Sequence, residues 1–244
     1  MINRLFWPME KQFYIFLVLV FASTILLADI SKKERDILIE FHNSTHGTEW
    51  KIKWDLSKPV SAWYGVGIKR GRIISLSLFD NDLKGSLPNN LGALKHLEVL
   101  NLALNNIAGT IPESIVLLKK LKVLRLGKNR LKGTIPEDIG ELKNLTVLEM
   151  FGNDLSGGIP ASLGKLIELK WLFLSYNKLT GTLPNELGDL ELLERMELSG
   201  NALEGNIPKS LAGLHNLHTL ALSENKLSGS IPESVFSLPA LAQL

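Results

Sequence analysis

The chain has 244 residues, a formal net charge of +2 with basic and acidic residues interspersed, 45% hydrophobic residues and no cysteine. Without thiols there is no disulfide and no cysteine-ligated metal site, so the fold must hold by packing alone. Charge of this kind makes no strong field, which argues against nucleic acid or an anionic membrane surface as a partner.

Arg4 and Lys11 precede an uninterrupted apolar run from Phe13 to Leu27, followed by Ala28 and polar Asp29. The run is shorter than the roughly 20 residues a bilayer-spanning helix needs. Residues 1–28 therefore read as a signal peptide or signal anchor, with Ala22 and Ala28 as small residues at which cleavage could occur. A buried core helix is the plainer alternative. Cleaved or not, positive charges kept on the cytoplasmic side place the rest of the chain outside, either secreted or on the extracellular face of the plasma membrane.

Residues 29–72 lack the pattern that follows and are expected to form a cap. Ser31 with Glu34 forms a capping box, and Ile37, Leu38 and Phe41 then make one apolar helical stripe. Trp50, Trp54 and Trp63 come close together after it. Three indoles could make a ligand platform, but they could equally cover the apolar edge of the first repeat.

Asparagine then recurs at Asn81, Asn105, Asn129, Asn153, Asn177, Asn201 and Asn225, an unbroken spacing of 24. Self-similarity of that length with an LxxLxLxxN core is the mark of a solenoid, in which each coil buries its apolar face only against its neighbours. A side-chain amide can satisfy the backbone groups that a turn strands inside the coil, so the seven asparagines read as a structural ladder. A second element recurs behind each of them, from LKGSLP to LSGSIP. Seven coils span 73–240, and 241–244 start an eighth whose asparagine would fall beyond Leu244; this suggests a truncated chain, or self-association through the open edge.

The segment ERDILIEFHNST, the Trp63-to-Val66 motif WYGV, the run-in from Gly71 to Leu76 and the repeated L-x-G-x-[IL]-P together resemble plant-type leucine-rich-repeat proteins. In that family two cysteines flank the Trp-x-Gly-Val motif; Ser61 and Ile68 stand there instead. The resemblance implies an α/β-type repeat solenoid: a right-handed leucine-rich-repeat superhelix of 24-residue coils with a parallel concave β-sheet and an extra short strand at each L-x-G-x-[IL]-P. It also implies ligand binding on the concave face, at the outward positions three, five, seven and eight counted from the consensus leucine.

Those positions are bland in the first and last coils and rich in the middle, where Arg125, Glu149, Phe151, Trp171, Phe173, Tyr176, Arg195 and Glu197 gather. Aromatics and arginine dominate binding hot spots, although aromatics also suit strands in general. Chemistry is not apparent elsewhere. The five histidines sit in no catalytic pattern, and GIPASLGK has the wrong spacing for a phosphate loop and lacks Ser or Thr after lysine. No cofactor, metal site or catalysis is expected. Asn43 and Asn144 head glycosylation sequons. The functional expectation is an extracellular, receptor-like module binding a protein, peptide or glycan, with a co-receptor as a further partner. The alternatives are a secreted inhibitor of a cell-wall hydrolase, similar to polygalacturonase-inhibiting proteins, and the N-terminal fragment of a receptor kinase.

Overall fold

The structure, a computed structural model, describes residues 30–243. The expected leader lies outside them. Ser31 opens helix α1 (Lys32–Ser44): its hydroxyl accepts the Glu34 N–H at 3.2 Å and donates to the Glu34 carboxylate at 3.1 Å. The stripe of Ile37, Leu38 and Phe41 is buried. Trp50, Trp54 and Trp63 are buried as well, with Trp54 and Trp63 stacked at 4.7 Å and Trp50 edge-on to Trp54 at 4.9 Å. Each indole N–H donates to a main-chain carbonyl, that of Thr45, Tyr64 or Asp55. A ligand platform needs an open ring face, so these rings act as the cap. Strand β1 (Val66–Lys69) then pairs antiparallel with β2 (Arg72–Ser77) and covers the sheet edge that would otherwise be open.

From β2 onward one short strand per coil joins a parallel sheet in 24-residue register. Val99 faces Val123, Val123 faces Val147, Val147 faces Trp171, and Trp171 faces Arg195. Inward residues form a continuous core; in coil four they are Leu145, Leu148, Met150, Leu155, Ile159, Leu163 and Leu166. The L-x-G-x-[IL]-P elements build a second parallel sheet from Ala108–Thr110, Arg130–Gly133, Asp154–Gly157 and Lys178–Leu179, and a strand pair from Glu204–Asn206 and Lys226–Ser228. Each proline after it fixes an extended backbone that leads into a 3₁₀ turn such as Ala161–Lys165.

The asparagines bond as the spacing requires. Asn153 accepts the Leu131 N–H at 3.0 Å and donates to the Leu126 and Met150 carbonyls, each at 3.0 Å. The same set repeats at Asn105, Asn129, Asn177, Asn201 and Asn225. Asn81 differs, because no coil precedes it: it exchanges bonds with the N–H and carbonyl of Ile52 and ties the cap to coil one. At the far end Gln243 bridges to Thr219, and the Leu220 N–H donates to the Gln243 carbonyl.

Candidate functional site

Parallel register brings the outward side chains of coils four to seven over one depression of about 470 Å³, lined by Glu149, Phe151, Phe173, Ser175, Tyr176, Arg195, Glu197, Ser199, Thr219, Ala221 and Gln243. Six of the eight residues expected at the site line it. Arg125 and Trp171 do not. Trp171 stacks on Phe173 at 6.2 Å and donates its indole N–H to Glu194 at 3.3 Å, which holds it at the entry end of the strand. The hydrogen bond from Lys170, with smaller help from that of Trp171 and from the Lys170 charge, outweighs burial and holds the Glu194 carboxyl below the usual glutamate range.

Two ion pairs organise the floor. Arg195 pairs with Glu197 at 2.5 Å while its guanidinium lies 5.2 Å from the Phe173 ring centre, so the cation is fixed by a carboxylate and an aromatic face together. Arg125 lies 3.4 Å from Glu149, but its buried Nε has no hydrogen-bond acceptor. Burial pushes the Glu149 carboxyl up, against the opposing pull of Arg125.

The lip of the depression has a backbone that residue types do not disclose. Position eight is left-handed in every coil: Asp80, Leu104, Lys128, Gly152, Tyr176, Gly200 and Glu224 all have φ between 49° and 68°. That conformation costs an L-residue about 1–2 kcal/mol. Only two of the seven are glycine, while Leu104 and Tyr176 are 45% and 59% exposed, so neither is repaid by burial. At position seven Ala103, Gly127, Ser175 and Ser199 are covered, contrary to the expectation that this position faces out, whereas Phe79, Phe151 and Ser223 keep to it. Residue type alone therefore does not single out Lys128 or the hydroxyls of Ser175 and Ser199. The only advance sign is glycine at 152 and 200.

Both sequon asparagines are exposed. The Asn144 amide donates to the Lys119 carbonyl at 2.7 Å, and the sequon hydroxyls of Thr45 and Thr146 donate to the Phe41 and Lys122 carbonyls. Among the described residues, no helix is long and apolar enough to cross a membrane.

Stacked coils, an asparagine ladder and a parallel sheet define a leucine-rich-repeat solenoid. A leucine-rich repeat region model matches residues 75–178 and a Leucine Rich Repeat model matches 168–190, 192–214 and 216–238. The chain belongs to the leucine-rich-repeat family, in its plant type. It is 42% identical over 92 residues to the leucine-rich repeat receptor protein kinase EMS1 of Arabidopsis thaliana, a match covering 37% of this chain and 8% of that one. The plant peptide hormone receptor RGFR1, solved in complex with RGF2, superposes with a TM-score of 0.65 at 38% identity, covering 67% of this chain and 26% of that one. A plant ice-binding protein superposes at 0.75 with 30% identity, covering 88% of this chain and 78% of that one. The match thus spans a small part of EMS1 and of RGFR1 and most of the ice-binding protein. Plant receptor ectodomains are among the structures this chain resembles.

Proposed function

We propose that the depression across coils four to seven captures a protein or peptide ligand outside the cell, without catalysis, as part of a recognition protein. The observation that carries this is the convergence of Phe151, Phe173 and Tyr176 with the fixed Arg195–Glu197 pair in one open depression. Rigid aromatics bring large contact area at small entropic cost, and a paired arginine gives direction to hydrogen bonding. A peptide-hormone receptor among the similar structures supports the ligand class. The test pans a displayed peptide library on the full chain. Selected peptides are expected to lose at least tenfold affinity for the double variant Phe173→Ala, Arg195→Ala, with its thermal melt nearly unchanged; equal binding by that variant sinks the reading.

A second reading has its own observation. Ser86, Thr110, Thr134, Thr182 and Ser230 are exposed at the same position of five coils along the outer side, with Gly158 and Asn206 in the other two, and the ice-binding protein is matched over most of its length. The hydroxyls recur on that side from coil to coil and could order water, although the register of the outer sheets sets Thr110 beside Lys132 and Thr182 beside Glu204. Lys84, Lys132 and Glu204 interrupt the neighbouring row with charge, which ranks this reading second. Inhibition of ice recrystallisation by the full chain, lost on Thr134→Lys, would promote it above the first.

A further inference from the structure

Resting on the concave-face reading, a more specific ligand follows from the left-handed row beside the depression. The main-chain N–H groups of Lys128, Gly152, Tyr176 and Gly200 each donate to the position-seven carbonyl of the next coil, at 2.7 to 3.0 Å. The row is therefore a rigid comb with its own donors used up. Glycine at every second place lets the intervening side chains lie along it: a Cβ on Gly152 would meet the Lys128 methylenes at 3.2 Å, and one on Gly200 would meet the Tyr176 ring at 2.6 Å.

Charge on the outward positions is balanced locally almost everywhere. Asp80 pairs with Lys51, Arg125 with Glu149 and Arg195 with Glu197. Lys128 and Glu224 are the exceptions: both are exposed, and neither has an ion-pair partner among the described residues. Lys128 instead extends its ammonium over the Phe151 ring at 5.8 Å. The comb reads lysine, glycine, tyrosine, glycine, glutamate from coil three to coil seven, with the exposed tyrosine midway between opposite free charges.

Neighbouring strands lie about 4.8 Å apart, so two coils make a step of roughly 9.6 Å. A polyproline II segment advances about 3.1 Å per residue with three residues per turn, and so returns to the same side every ~9.3 Å. A β-strand, whose side chains alternate every residue, cannot present residues i, i+3 and i+6 on one side. We propose that the comb binds a polyproline II peptide carrying an acidic residue at i over Lys128, an apolar residue at i+3 over Tyr176 and a basic residue at i+6 over Glu224. A neutral glycan leaves both charges unanswered, and a uniformly acidic polymer is repelled at Glu224.

The test measures anisotropy of three fluorescein-labelled heptapeptides on the full chain. They are Asp-Pro-Pro-Leu-Pro-Pro-Lys and its two single-sign relatives, one with Asp at both ends and one with Lys at both ends. The mixed-charge peptide is expected to bind at least tenfold tighter than either relative. Glu224→Lys should move the preference to the doubly acidic peptide, and Lys128→Glu to the doubly basic one. Both substituted side chains are exposed, and an unchanged melt confirms folding. Equal affinities for the three peptides, no binding of any, or an order unmoved by both substitutions overturns the proposal. If library peptides still depend on Phe173 and Arg195 in that case, the depression stands and only the charge rule falls.

Discussion

Glu149 faces two opposed effects, and their balance fixes the sign of a pH effect. Its side chain is 15% exposed and its one charged partner is Arg125; burial is the larger influence and raises its pKa above the ordinary glutamate value. A carboxyl raised on folding stabilises the protein below its unfolded pKa, and that contribution disappears as pH rises through the folded value. At neutral pH the ionised carboxylate is therefore a net cost. Glu149→Gln keeps the shape without the charge, so it should melt above wild type at pH 7, with the difference closing near pH 4, about the unfolded pKa. Melting curves between pH 4 and pH 8 read this directly, and a variant whose relative melting point falls as pH rises would show that Arg125 outweighs burial. The Glu149 position is legible in the sequence, since alternation along a strand says which side chains leave the core. Its surroundings are not. Alternation is silent about which neighbour leans over which, so Trp171 and Phe173 look equivalent in the sequence although only Phe173 lines the depression.

At the scale of the element, neighbouring coils meet backbone to backbone at the glycines of the 3₁₀ turns. A Cβ at Gly164 would stand 2.2 Å from the Glu186 carbonyl oxygen of the next coil, and one at Gly188 would stand 2.3 Å from that of Ser210. Neither obstacle is a flexible side chain, so alanine there must push two coils apart. Gly181 provides the contrast: its φ is 75° and an added Cβ meets nothing within 4 Å, so its cost is conformational only. Gly164→Ala should lose about 3 kcal/mol, the upper range for overpacking, and Gly181→Ala about 1 kcal/mol, the penalty of a left-handed alanine. Urea titration of both variants separates them, and equal losses would mean that the turns yield freely. The glycines of the L-x-G-x-[IL]-P element are visible in the sequence because they recur in all seven coils. The turn glycines are harder to see because Val116, Ala212 and Phe236 interrupt their series. Backbone contact between coils has no residue signature unless every coil makes it equally close.

Along the whole molecule, stability is a sum over coils and their interfaces, since each coil touches only its neighbours. The 24-residue repeat makes this architecture legible from the amino acids alone, because one period fixes register, core and ladder together. It does not show that the stack is uneven. The cap end is closed by three buried indoles and by β1, whereas in coil seven Leu222 and Leu227 are only partly buried and Ile231 and Phe236 are exposed. Coil seven should therefore open at lower free energy than coil two, and amide exchange should reach Thr219–Ala221 well before Val99–Asn101. Weakening the middle turns this gradient into a separation. Leu172 is fully buried in the central strand of coil five, and truncating it to alanine removes about 2–5 kcal/mol. In a globular core that loss lowers one transition as a whole. In a one-dimensional stack it falls on the interfaces of coil five, leaving the capped coils joined to the Trp cluster and the later coils joined to little. Leu172→Ala should accordingly unfold in urea in two steps, with early loss of exchange protection confined to coils five to seven. A single transition that exposes Val99–Asn101 and Thr219–Ala221 together would instead mean that the interfaces are strong enough to make the seven coils one cooperative unit.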